Sequence, residues 1–513
     1  MNEHKAIFSY GIFSKKLFAT IATTIISSII SSITVQAIDL PAFYRAPLFQ
    51  GTPKKDLENW TTYFTVGYAF GSGKKAWDRH GEEVDLLNVY GLVNAAHLGL
   101  NVPCKQVKTT DGMTKFIKPV TETFWVDEQV IVDDTKVPPL VTAELPPDGI
   151  LGKFYKDPTK QIALSLSGEV TVQQVDFTLH QNLFAGFYAQ VYLPIRQVEV
   201  DTIARKIPCT VVCAQEQEAL MKLLKVDNPP PYPTSPNPLP DNPPNTLTNI
   251  DLILKENCLT GLKEPFKKSG ISDMLVSLGW QVFDDHSFGT FVKTVEAAVQ
   301  IGALVPLADE RDENHLYSVP LGYNEHMGVN ARFYVQVGIA DIFAVGAQTG
   351  VTTFIRKDRK IRMETDKRQS GIIVLGKGKA EVDQGSMWDL GAYGKVHNFC
   401  KGLEAIIGYS FTRQEPTFLE PSDDFLQAVY DRELSRNPPR IFPRSDVVNS
   451  DQRYWGWEQH VVHAVVQYDF KKHKDLWFSP CVKVSGSVPI AGRRAWIVNM
   501  FGASFGVTLD WDF

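Results

Sequence analysis

The sequence predicts an all-β protein, a transmembrane antiparallel β-barrel of about twelve strands with long loops at one end. Three observations carry that expectation. The C-terminal segment alternates strictly between apolar and polar residues, eleven upstream segments alternate in the same way, and short and long connections sort to opposite ends. In the last thirteen residues Phe505, Val507, Leu509, Trp511 and Phe513 share one parity, and Ser504, Gly506, Thr508, Asp510 and Asp512 the other. A strand presents one set to each face, so one wall meets lipid and the other a polar lumen. In water, a chain end bearing exposed aromatics would be an edge that invites aggregation.

In chain order, residues 1–37 read as a cleaved signal peptide. Lys5, Lys15 and Lys16 precede an apolar, hydroxyl-rich run over 17–33 and then Thr34-Val35-Gln36-Ala37, with cleavage expected after Ala37. The competing reading is an uncleaved anchor, but no stretch reaches the roughly 18 to 20 apolar residues of a spanning helix. Residues 38–59 are expected to form a periplasmic N-terminal segment. Removing 37 of 513 residues leaves 476, and losing Glu3 and three lysines takes the net charge from −6 to −8. Such a mildly acidic chain carries no global nucleic-acid footprint.

The first strand is expected at 60–70, with Phe64, Val66, Tyr68 and Phe70 on one face. Hairpins follow at 162–179 with 187–195, 274–282 with 295–305, 329–339 with 343–351, 388–396 with 403–411, and 460–470 with 476–488. The third is the cleanest, setting Val329, Ala331, Phe333, Val335 and Val337 against Asn330, Arg332, Tyr334, Gln336 and Gly338. In 162–179 the apolar parity flips at Gln173-Gln174, which predicts a β-bulge. One strand, five hairpins and the terminal strand give 1 + 10 + 1 = 12. A soluble sandwich also alternates, but its connections have no reason to sort by parity.

Long loops are expected at 71–161, 199–273 and 413–453, all in a single barrel unit over 60–513. Within them, 82–100 could be a helix, a plug or an extra strand pair, which leaves a 14-strand count open. The stretch 228–245 holds nine prolines and must be extended. Residues 250–268 could form a loop helix, and the basic 356–368 reads as a solvated loop that lipopolysaccharide phosphates would attract. Cys104, Cys209, Cys213 and Cys258 fall in the two longest loops, where one or two disulfides of undefined pairing are plausible; Cys400 and Cys481 fall elsewhere. Cys209 and Cys213 have helical ligand spacing but no second ligand pair, so no metal site is expected.

Parity assigns Asp176, His180, Arg196, Glu296, Arg332, Asp389, Lys395, His397, Glu404, His463, Asp469 and Lys483 to the lumen. Opposed charges along a wet interior suit a channel, and equally a salt-bridged plug. As solute-contacting candidates Arg196, Glu296, Arg332, Lys395, Glu404 and Lys483 stand out, with Arg196 and Arg332 best suited to an anionic or polar solute. No nucleophile elbow, phosphate loop, dinucleotide fingerprint or zinc motif is present, so neither catalytic residues nor a cofactor are expected.

The terminal strand resembles the assembly signal of bacterial outer-membrane barrels, with Thr508 where a glycine is customary. This implies an outer-membrane location and delivery to the barrel-assembly machinery through Phe513. The hairpin series looks like that of porin-like proteins. Gly270-Ile-Ser-Asp273 before the 274–282 strand is similar to the lead-in of barrels that transport hydrophobic and aromatic compounds. The resemblance implies a channel for passive or facilitated uptake of small solutes, embedded in lipid and lipopolysaccharide. The alternatives are a structural or adhesive surface barrel with a closed lumen and, third, an outer-membrane lipase or protease.

Overall fold

In a computed structural model the described residues are 60–94, 106–108, 114–116, 163–206, 254–255, 258–285, 291–339, 342–364, 371–374, 376–397, 402–425, 448–449, 451–470 and 478–511. The signal-peptide and N-terminal expectations, the proline run, Cys104, Cys209, Cys213, Cys400 and Phe513 lie outside them.

Twelve antiparallel strands close into a barrel. They are β1 (Trp60–Trp77), β2 (Ala163–Asn182), β3 (Phe187–Lys206), β4 (Met274–Asp284), β5 (Val292–Val305), β6 (Gly328–Ile339), β7 (Phe343–Phe354), β8 (Met387–His397), β9 (Leu403–Gln414), β10 (Trp457–Asp469), β11 (Phe478–Arg493) and β12 (Ala495–Trp511). Each pairs with the next in sequence, and β12 returns to β1, with Trp60 opposite Trp511 and Phe64 opposite Val507. Closure satisfies every ladder and removes the edge that a terminal aromatic strand would otherwise present. The 14-strand alternative does not hold: Glu83–Asp85 and Val93–Asn94 pair with β1 and β2 outside the ring.

The outward parity is apolar all the way round. Leu278 is 65% exposed, Ile407 69% and Phe501 63%, and Phe64, Ile301, Val345, Val466 and Val484 join them. A water-facing monomer does not carry a continuous apolar belt of this kind, whereas a bilayer requires one.

The strands are unequal in height. β2 and β3 run 20 residues each and β1, β11 and β12 run 16 to 18, against 11 for β4 and β8. The ladder therefore continues well into the stretches expected to be loop at 71–161 and 199–273. The sheet also resumes before Asp273, because Phe266–Ile271 pairs with β3. The helix expected over 250–268 does not extend this far: residues 254–255 are helical, while 258–268 turn and run into the strand.

The parity flip in β2 also has a different cause. Gln173 and Gln174 sit in unbroken register with Gln197 and Arg196, and the only shift in that ladder lies between Ser167 and Gly168. Leu164, Leu166, Val170, Val172, Gln174 and Thr178 all point inward. What changes is the interior, from polar lumen to an apolar core at the long-loop end.

That core is a cap built by the loops on the inner face of the tall wall. Val198, Val200, Trp496 and Val498 receive Leu86, Leu87 and Val89 from the first loop, Leu254 and Leu262 from the second, Leu316 to Leu321 from the third, and Ile372 and Ile373 from the fourth. The described part of the 82–100 segment, residues 82–94, thus packs into the cap and adds two short strands beside the ring. Beside it, Lys357–Arg362, Lys377–Asp383 and Phe418–Pro421 form a three-stranded sheet around Ile361, Met363, Val382 and Leu419. Of the basic 356–368 stretch, expected as a solvated loop, Lys357–Arg362 instead form a strand in which Arg359 is 7% and Arg362 3% exposed. Arg362 donates to the carbonyls of Glu313 (2.5 Å) and Cys258 (3.2 Å), and Arg453 and Tyr454 donate to its own carbonyl. Cys258 is disulfide-bonded, as a loop cysteine was expected to be, and Cys481 is a buried free thiol.

Candidate functional site: a polar lumen beneath a loop cap

Below the cap lies a cavity of about 310 Å³. One side is the tall wall, where several inward positions are small, Gly67 and Ala69 on β1, Ser485 and Ser487 on β11, and Gly502 and Ser504 on β12, beside larger ones such as Tyr63, Asp176, Lys483 and Met500. At Gly67 the room is taken by the Asp176 carboxylate, which a Cβ there would meet at 2.7 Å. The opposite side carries long polar side chains from β3 to β10, including Gln190, Gln300, Arg332, Tyr334, Gln348 and Gln467. Trp496 and Val498 belong both to the cavity wall and to the cap core, so the cap roofs the cavity there.

Of the residues that parity placed in the lumen, Asp176, His180, Arg332, Asp389, His463 and Lys483 line the cavity. Arg332 stands between Gln300 on β5 and Gly350 on β7. Because Gly350 has no side chain, the guanidinium reaches across it toward Asp389 on β8, where Nη2 stops 4.0 Å from Oδ2. That is beyond hydrogen-bond distance, and Nε has no hydrogen-bond partner among the described residues. The Asp389 carboxylate accepts from the Thr412 hydroxyl at 3.4 Å. His463 Nε2 meets Ser410 Oγ at 2.7 Å, and His180 stacks on Tyr188 with ring centroids 4.7 Å apart.

The remaining solute-contact candidates hold structure. Lys395 and Glu404 form a 3.0 Å ion pair across β8 and β9, with little of either side chain exposed. Glu296 accepts from Gln336 at 3.2 Å, and Tyr393 donates to Tyr334 (2.5 Å) or Gln336 (3.0 Å) beside it. Asp469 is buried, and the His397 side chain lies outside the described residues.

Arg196 differs most from its expected role. It points inward but is 2% exposed, donating to Gln174 (2.8 Å), the Ser272 hydroxyl (2.6 Å) and the Leu321 carbonyl (2.9 Å). It therefore clamps the third loop to the wall and is sealed from any solute. Its neighbour Asp273, in the Gly270 to Asp273 motif, completes the clamp. The carboxylate accepts backbone N–H groups from Leu307 and Ala308 at 3.1 Å and from Tyr323 at 2.5 Å. Gly322 is required there, since a Cβ would fall 2.3 Å from the carboxylate.

Farther out in the cap, Lys357 bridges Glu310 (3.3 Å) and Glu325, which holds the Glu325 carboxyl below its ordinary range. Burial pushes the His326 imidazole down to about 4. Among the described residues no His, Cys, Asp and Glu cluster could hold a metal ion, and no helix is long and apolar enough to cross a membrane.

No family model matches the chain, and no curated protein matches it. Among solved structures it is similar to an outer-membrane channel from Pseudomonas putida F1, with a TM-score of 0.40 and 9% identity over 92% of this chain and 99% of that one. It is also similar to a FadL homologue from Pseudomonas aeruginosa, with a TM-score of 0.26 and 9% identity over 89% and 90%. A third likeness is to OprB from Pseudomonas putida, with a TM-score of 0.20 and 9% identity over 94% and 100%. The barrel itself rests on its strand register.

Proposed function

We propose that the protein is a non-catalytic channel of a bacterial outer membrane that takes up small solutes. The observation that carries this is the cavity inside the barrel, lined by polar and apolar side chains together and bordered by the Arg332 guanidinium, whose side chain is 27% exposed. In this reading the short turns face the periplasm and the capped end faces outward. The chain is exported by its N-terminal signal, is assembled through its terminal strand, and meets lipid and lipopolysaccharide on its apolar belt.

A second reading, a closed surface barrel, is favoured by one observation: the apolar cap core over the tall wall. Planar-bilayer recording separates the two. The channel gives discrete conductance steps, and Arg332→Glu, which replaces a lumen cation by an anion, shifts ion preference toward cations. Silence over many insertions of protein shown to be folded by heat-modifiable migration removes the channel and leaves the closed barrel.

A further inference from the structure

The cavity lining has a composition that selects among solutes. Its charged side chains are Asp176, Lys483, Arg332 and Asp389, two of each sign. Arg332 faces Asp389 at 4.0 Å, and Lys483 and Asp176 line the same cavity. With histidines neutral, the lining has no net charge and therefore no field that ranks cations against anions. Between these pairs the wall mixes carboxamides with apolar and small side chains. Seven glutamines line the cavity, contributed by strands all round the barrel from β2 to β10.

A carboxamide both donates and accepts hydrogen bonds and bears no charge. A ring of them can replace the hydration of a hydroxyl or amide whichever way the solute turns. Four of them are engaged with the wall: Gln174 donates to Tyr192 and accepts from Arg196, Gln281 donates to Asn182, Gln300 to Ser277 and Gln459 to the Trp496 carbonyl. On the same wall, Gln348 Nε2 is buried with no hydrogen-bond partner among the described residues, next to Gly391, which gives it room. Lipid-facing strands do not demand glutamine on their inner side; serine, threonine or a salt-bridged plug would serve a closed barrel.

From this we infer that the lumen is an electroneutral, carboxamide-lined binding path for small uncharged solutes rich in hydroxyl or amide groups, such as polyols. The inference rests on the channel reading and narrows it to a solute class.

The test uses the full mature barrel in liposomes and planar bilayers at pH 8, where histidine carries no charge. In a potassium chloride gradient the reversal potential is expected close to zero. In osmotic swelling, erythritol is expected to enter at least about threefold faster than lactate of similar size. Gln348→Leu with Gln467→Leu is expected to slow erythritol about threefold or more while the reversal potential stays near zero. Gln348→Glu, which adds one charge and keeps the size, is expected to introduce cation preference, with heat-modifiable migration verifying that each variant is folded. A wild type that conducts but prefers one ion sign strongly, or admits lactate as fast as erythritol, overturns the solute class and leaves the channel standing. A folded wild type that neither conducts nor swells overturns both.

Discussion

Two residues show how the cap is secured. Asp273 binds three backbone N–H groups from two points of the third loop, donors that would be stranded if its carboxylate were removed. Asp273→Ala is therefore expected to destabilise the docked loop by about 1 to 3 kcal/mol per group left unpaired. Limited proteolysis within 306–327 should reveal it, with cutting accelerated while the barrel still migrates as a folded species. His326 supplies a pH dependence. Its Nδ1 contacts the Ile355 carbonyl at 2.9 Å, and burial pushes it down to about 4, below the ordinary histidine value of about 6.5. Between those values the unfolded loop binds more protons than the folded one. Stability is thus fully present above pH 6.5 and falls as pH drops toward 4. Protease resistance of the cap is expected to follow that fall, and His326→Gln, which keeps a donor without titrating in this range, to flatten it.

At the scale of elements, the hairpin joining β2 to β3 turns within four residues, 183–186. Ala185 and Gly186 both have positive φ, at 49° and 82°, and Phe187 N–H donates to the Phe184 carbonyl at 2.8 Å, the geometry of a two-residue primed turn. Alanine is a poor occupant of such a position. Ala185→Gly is expected to stabilise by up to about 1 kcal/mol, whereas Gly186→Ala is expected to destabilise, since its Cβ would fall 2.2 Å from the Gln281 carbonyl. Urea titration in detergent should place the two variants on opposite sides of the wild type.

Elements are also where the sequence was most and least informative. Alternation located all twelve strands because a membrane barrel asks the same question of every strand: lipid on one parity, lumen on the other. It misread β2, since a period-two pattern reports that a face is buried and not what buries it. Leu164 and Leu166 mark a wall covered by protein, and the loops that cover it carry no period of their own. Arg332 and Arg196 looked alike for the same reason. Both are inward arginines, and only the third loop, arriving from more than a hundred residues away, decides that Arg196 becomes a clamp. The glutamines shared the parity that singled out Arg332 and could have been read with it.

Taken whole, the molecule is two constructions with different sources of stability. The barrel is held by a closed ring of backbone ladders in which every strand has two neighbours. The cap is held by side chains: the apolar core on the tall wall, the Arg196 and Asp273 clamp, and the Arg362 and Arg453 network, in which Arg453 and Asp451 pair at 2.7 Å. In the channel reading the cap stands at the outer mouth, so loosening it should alter conduction without opening the ring. Leu87→Ala with Leu321→Ala removes two fully buried side chains from the core, each at a cost of about 2 to 5 kcal/mol. The barrel ladder does not use those residues, so heat-modifiable migration should persist in the double variant. Single-channel recording is the measurement: larger or longer openings are expected in the variant. Unchanged conductance alongside a proteolytically loosened cap would mean that the solute path bypasses the apolar core along the wall.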